Sequence, residues 1–205
     1  GVSMRTMYVF GHCDYETNGI YHLLPQEVQV VNGLDNDDIL THPRERDVLI
    51  LCLSALPLLR WGRQLSKIEQ LVLSCDAKII VLTPNHVPCL EATMHSKRVF
   101  FINGTQPIDQ LHKAIMGAIR RPVYYEKKFP TEVTLNHRYY RLTMDIINEV
   151  SIIDRAEMER LPLKTAYHHR SMFIKQLGFS SLQHLQMFLT DINQKDIKLL
   201  CSSIM

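Results

Sequence analysis

Asp47-Val48-Leu49-Ile50-Leu51-Cys52-Leu53 and Ala77-Lys78-Ile79-Ile80-Val81-Leu82-Thr83 are nearly continuous runs of β-branched and apolar residues. A strand with one wet face alternates apolar and polar side chains, whereas a strand covered on both faces does not, so such runs belong in a parallel sheet sandwiched by helices. Working outward, further strand-like runs stand at Arg5–Phe10, Val28–Asn32 and Arg98–Ile102, and helix-like segments at Glu16–Leu24, Asn36–Thr41, Leu59–Ser74, Val87–His95 and Ile108–Ile119. Five alternations of this kind predict a doubly wound sheet over residues 1–121.

After residue 121 the pattern changes. Residues 122–132, with Pro122, Pro130 and a cluster of charges, have no clean period and read as a linker. Residues 133–205 show no further β-rich run, and helices are expected at Leu135–Asn148, Ile152–Arg160, Leu163–Leu177 and Ser181–Leu189. The expected architecture is therefore an α/β flavodoxin-like (βα)5 domain followed by an all-α four-helix domain. Charge divides the same way: residues 1–119 hold ten Lys or Arg against twelve Asp or Glu, and residues 120–178 hold eleven against seven. A basic module behind a mildly acidic one is the asymmetry expected when one half meets a polyanion.

With 46% hydrophobic and 21% charged residues the chain has the balance of a globular protein, and its apolar runs fall short of the roughly 20 residues that span a bilayer. Gly1-Val2-Ser3-Met4 reads as a cleavage scar before a native Met4, without the pattern of a secretory signal, and a cytoplasmic location is expected. The five cysteines, Cys13, Cys52, Cys75, Cys89 and Cys201, are odd in number and widely spaced, as reduced core thiols would be.

The first half resembles a response-regulator receiver domain. In that family an aspartate at the end of the third strand accepts the phosphoryl group; here Cys52 stands there. The acidic pair that holds Mg²⁺ falls at Gly11 and His12, and the lysine ending the fifth strand falls near Asn103, so that only Thr83 matches a switch position. Thiols are poor ligands for hard Mg²⁺, and the resemblance implies a pseudo-receiver with a degenerate phosphorylation site. An unrelated flavodoxin-like domain is the alternative.

The second half carries a sharper pattern. In Lys164-Thr165-Ala166-Tyr167-His168-His169-Arg170-Ser171-Met172-Phe173-Ile174-Lys175-Gln176-Leu177-Gly178, the residues Thr165, His169, Leu177 and Gly178 match in register the recognition-helix signature of LuxR-type (NarL/FixJ) regulators. Ala166 and Phe173 are apolar substitutes, and Gln176 replaces a lysine. The preceding segment, Arg155 to Pro162, looks about one residue out of register, which makes the chain similar to the divergent accessory enterobacterial regulators of capsule and fimbriae.

The helix also makes physical sense by itself. Ala166, His169 or Arg170, Phe173 and Leu177 share one face suited to packing. Lys164, Tyr167, His168, Ser171 and Lys175 fall largely on the others, and no acidic residue occurs from Leu161 to Ser181. Such a surface can enter a major groove without charge repulsion. Gly178 suits a left-handed helix end, and Ser180 or Ser181 can cap the next helix.

The resemblance implies sequence-specific binding of double-stranded DNA and regulation of transcription. Lys164, Thr165, Tyr167, His168, Ser171 and Lys175 form the expected contact surface, with Arg170 as a phosphate contact. It also implies a homodimer, or a heterodimer with a related LuxR-type regulator, through Glu16–Leu24 and Ile108–Ile119. The alternatives are a protein-interaction module that sequesters a related regulator and a small-molecule sensor. No catalytic residue, cofactor or metal is expected: His86-Val87-Pro88-Cys89 lacks a second ligand pair at zinc-finger spacing, Cys52 has no adjacent base, and Asn103-Gly104-Thr105 is too short for a phosphate loop.

Overall fold

A computed structural model describes residues 6–25, 28–30, 46–88, 90, 96–123 and 135–202. The first part builds β1 (Met7–Gly11), α1 (Asp14–Leu23), β2 (Val28–Val30), β3 (Val48–Cys52), α2 (Gln64–Ser74), β4 (Lys78–Thr83), β5 (Val99–Asn103) and α3 (Ile108–Arg120). All five strands run parallel in the order β2-β1-β3-β4-β5.

Every residue of β3 and β4 is buried, as their unbroken apolar runs require. The period of two then sorts the side chains. Leu49, Leu51, Ile79 and Val81 pack on Leu65, Ile68, Leu71 and Val72 of α2, while Val48, Ile50, Cys52, Ile80 and Leu82 pack on Ile20 of α1 and Leu111 and Ile115 of α3. Two buried cations close helix ends. Lys78 Nζ donates to the carbonyls of Ala118, Ile119 and Arg121 at 2.6–2.8 Å, and the Arg98 guanidinium donates to those of Val72, Cys75 and Ala77 at 2.7–3.0 Å. Lys78 thereby satisfies carbonyls that the end of α3 leaves unpaired, and Arg98 does the same at the end of α2 while also holding Ala77 before β4.

Some expectations need correction. Leu59–Ser74 does not form one helix: Arg60 takes a left-handed φ of 68°, a 3-10 turn covers Trp61–Arg63, and the α-helix starts only at Gln64. Within Val87–His95 the described residues Val87, Pro88 and Leu90 are not helical, and the rest lies outside the described residues. So do Asn36–Thr41 and most of the linker at 122–132.

The described residues of the second part form α4 (His137–Ile147), α5 (Ile152–Met158), α6 (Leu163–Gln176), α7 (Leu182–Leu189) and α8 (Gln194–Ser202), five helices among the described residues where four are expected. The additional α8 starts where Asn193 Oδ1 accepts the Asp196 N–H at 2.8 Å, and it buries Ile197, Leu200 and Cys201. No helix among the described residues is long and apolar enough to cross a membrane.

The two parts share one hydrophobic cluster. Trp61, at the start of the α2 segment, stacks on Phe188 of α7 with ring centroids 5.9 Å apart, and Phe188 meets Phe179 edge-on at 4.9 Å. Arg60 donates its backbone N–H to Met187 O at 2.9 Å and pairs with Asp191 at 2.8 Å, while Lys195 reaches Glu69 at 3.2 Å. A Cβ on Gly62 would come within 2.7 Å of the Phe188 carbonyl oxygen, so only glycine allows this approach. Asp196 is fully buried beside Glu69, with neither carboxylate oxygen hydrogen-bonded; loss of solvation, and then Glu69, push its pKa up to about 6.

Candidate nucleic-acid interface

Two helices, α4 and α5, hold α6 in place. Ser151 caps α5 by accepting the Asp154 N–H at 3.0 Å, and α5 ends in a turn where Arg160 adopts φ 53° and Leu161 donates to Ala156 O at 2.9 Å. Pro162 precedes α6, and its carbonyl accepts the N–H groups of Thr165 and Ala166 at 2.9 and 3.1 Å. α5 and α6 are thus joined by the four residues Glu159–Pro162, a helix-turn-helix connection. From α4, Asp145 receives both Nε (2.6 Å) and Nη2 of Arg155, and Glu159 pairs with Arg141 at 2.9 Å and with Arg155 at 3.6 Å. The Asp145 hydrogen bond raises the Arg155 pKa further, so this cation is permanent.

α6 buries Ala166 and Phe173, Leu177 is buried just beyond it, and Phe173 packs on Tyr139 of α4 with centroids 5.0 Å apart. Its exit is closed by Gly178 at φ 83°, with the Phe179 N–H on Ile174 O at 3.1 Å. Of the two serines offered as the next cap, Ser181 does it, accepting the His184 N–H at 3.2 Å.

Lys164, Tyr167, His168, Ser171 and Lys175 are all exposed along this helix, and Thr165 and Arg170 are half-buried. His168 is exposed and His169 half-buried, as one outward and one packing residue should be. Arg170 has contacts within the module. Its guanidinium lies 5.3 Å from the Tyr167 ring and borders a cavity of about 290 Å³ shared with Asp145, Glu149, Arg155 and Gln186. Met172, 41% exposed, follows Ser171 on the helix and lies one turn from His168, an apolar residue of the outer surface that the sequence pattern left unassigned.

In the α/β module, the sheet gathers the positions that the receiver resemblance compares with a phosphorylation site. Gly11 pairs in register with Cys52, Cys52 with Leu82, and Thr83 with Asn103, so all lie along the carboxyl edge of the strands. Cys52 is buried, and loss of solvation, followed by the nearby Glu16 and Cys13, pushes its thiol far up, against the thiolate that a nucleophile needs. Thr83 is buried and donates its hydroxyl to Ile102 O at 3.2 Å. Asn103 Oδ1 accepts from the Thr105 N–H and hydroxyl at 2.9 and 2.7 Å, forming a local turn. His12 is exposed. Asp47 sits at the opposite end of β3, where it accepts the Thr6 N–H at 3.1 Å.

The sequence matches no protein-family model and no curated protein. Solved structures do match. RcsB, a two-component response regulator solved in a complex with DNA, aligns at 19% identity and a TM-score of 0.54, covering 92% of this chain and 99% of that one. RcsB from Salmonella enterica serovar Typhimurium, bound to the promoter P1flhDC with the phosphomimetic BeF3-, aligns at 15% identity and 0.56 over the same shares. A structure of two RcsB dimers bound to two parallel DNAs gives 18% and 0.55. The fold is that of these regulators. At such identities the likeness extends to the α/β module, the helical module and their order along the chain.

The carboxyl edge of the sheet has a direct chemical test. Incubation with acetyl phosphate and Mg²⁺ is expected to leave the intact mass unchanged, because Gly11, His12 and Cys52 provide neither a metal cradle nor an acceptor carboxylate. An added phosphoryl group on Asp14 or Asp47 would contradict this.

Proposed function

We propose that this protein is a cytoplasmic transcription regulator that binds double-stranded DNA sequence-specifically through α6 and works without phosphorylation or any catalytic step of its own. The carrying observation is the outer face of α6: five exposed polar or cationic residues on a helix-turn-helix, with no acid between Leu161 and Ser181. Lys164, at the helix start, is suited to a phosphate; Tyr167, His168 and Ser171 are suited to base edges; Thr165, Arg170 and Lys175 flank them. RcsB, with which the fold is shared, is known in DNA complexes and as dimers, which supports both the polyanion and a paired arrangement on two half-sites.

The α/β module acts as a pseudo-receiver spanning residues 1–121, joined through 122–132 to the DNA-binding module at 133–205. Its partner is a second copy or a related LuxR-type regulator, met through α1 and α3, where Tyr15, Tyr21 and Ile108 are 92%, 42% and 62% exposed. The resemblance to accessory regulators of capsule and fimbriae supports surface structures as the regulated trait.

The rival reading, a module that sequesters a related regulator, draws on exposed apolar residues of the helix-turn-helix, Ile153, Met158 and Leu163. Chromatin immunoprecipitation with sequencing from the native host separates the two. Discrete occupied sites sharing a motif are expected, and occupancy indistinguishable from background would favour the rival.

A further inference from the structure

In doubly wound sheets ligands bind beyond the carboxyl ends of the strands, at the point where the strand order reverses. Here that point lies between β1 and β3, whose last paired residues are Gly11 and Cys52. Two and three residues past Cys52, consecutive backbone N–H groups converge on one acceptor. Ser54 N–H donates to Glu16 Oε1 at 3.1 Å and Ala55 N–H to Glu16 Oε2 at 3.2 Å, and the Ser54 hydroxyl also donates to Oε1. Successive N–H groups supplemented by a hydroxyl are the donor set of an oxyanion site. A carboxylate from α1 occupies it.

The neighbouring glycines bring the parts together. A Cβ on Gly11 would meet Thr17 Cγ2 at 2.7 Å and Cys52 Cβ at 2.9 Å, and one on Gly104 would meet Ser54 Oγ at 2.5 Å. Bare backbone at both places lets α1 reach β3 and lets the Ser54 turn seat against the end of β5. From Ser54 the chain runs within seven residues to Trp61, which packs on Phe188 of the helical module.

We propose that Glu16 is the resident anion of this crevice: the chain's own carboxylate fills an oxyanion site at the switch point and holds the 53–57 loop in one arrangement, so the module takes no diffusible anionic effector. This inference stands on the α/β module alone and holds whether or not α6 reads DNA.

The test uses the full chain, its Glu16→Ala and Glu16→Gln variants, and inorganic phosphate as the probe, read by ¹H–¹⁵N spectra. Glu16→Ala frees the donors, so phosphate is expected to shift the Ser54 and Ala55 amides saturably in that variant and to raise its Tm, while chloride at matched ionic strength does neither. In the parent the same amides should not respond to phosphate. Glu16→Gln keeps the shape but removes the charge, and both amide protons are expected to move upfield without gaining a phosphate response. If Glu16→Ala does not fold, the parent and Glu16→Gln still decide the matter. A phosphate response in the parent, or Ser54 and Ala55 amides unchanged in Glu16→Gln, would overturn the proposal, as would a folded Glu16→Ala variant indifferent to phosphate.

Discussion

Replacing Arg155 by alanine is expected to destabilise the protein by about 3–5 kcal/mol, because it strands a buried carboxylate. Asp145 is 8% exposed, and both of its oxygens are held by the Arg155 guanidinium. The same change also leaves Glu159 with Arg141 as its one remaining cation of the pair and loosens the junction that positions α6 on α4 and α5. Urea unfolding followed by circular dichroism measures the loss. Arg155→Met combined with Asp145→Leu should recover much of it, since a well-packed apolar pair carries no orphaned charge. A midpoint for Arg155→Ala close to that of the parent would contradict the assigned role.

Phe188→Ala is expected to cost about 3–5 kcal/mol, the usual result of truncating a fully buried aromatic, and to affect both modules at once. Phe188 stacks on Trp61 and meets Phe179 edge-on. Trp61 is the only tryptophan in the chain, so its fluorescence reports the junction while circular dichroism reports the helices. In the parent the two signals should change in a single transition, and Phe188→Ala should shift both to lower urea. Two separated transitions in the parent would mean that the shared cluster does not couple the modules. Repeating the measurement at several pH values reads Asp196 at the same junction. Its folded pKa of about 6 lies above its ordinary value of 3.8, so the folded state binds the extra proton and stability declines as pH rises from about 4 to about 6. Asp196→Asn should remove that slope.

How much of this was legible in the sequence follows from the range of the forces involved. The strands at Asp47–Leu53 and Ala77–Thr83, the closure of α6 at Gly178 and the cap at Ser181 are local signals, carried by unbroken apolar runs, by a left-handed position and by a hydroxyl three residues before a free N–H. α8 was also within local reach, since Asn193 and the Ile197, Leu200 and Cys201 spacing encode it, but its apolar stripe is short and faces α4 and α2. The displaced start of α2 depends on Arg60 and Gly62 fitting against α7, which no local pattern records. Glu16 was passed over for the same reason: its partners lie 38 and 39 residues away, and nothing around Glu16 distinguishes it from an ordinary acid in a helix's first turn. The outward residues of α6 were readable from periodicity, which also offered His169 or Arg170 to the packing face, and both are half-buried.

The central claim, that α6 reads DNA, is tested most directly by fluorescence anisotropy on a selected duplex and a scrambled one across a salt series. The parent should prefer the selected sequence. Lys164→Ala and Arg170→Ala should weaken binding to both duplexes alike and lower the salt slope by about one unit each. Tyr167→Ala, His168→Ala and Ser171→Ala should erode the preference by about 1–3 kcal/mol for each base-edge interaction removed, with binding to the scrambled duplex nearly unchanged. A parent without preference at any salt, or five variants that all bind as the parent does, would contradict the claim.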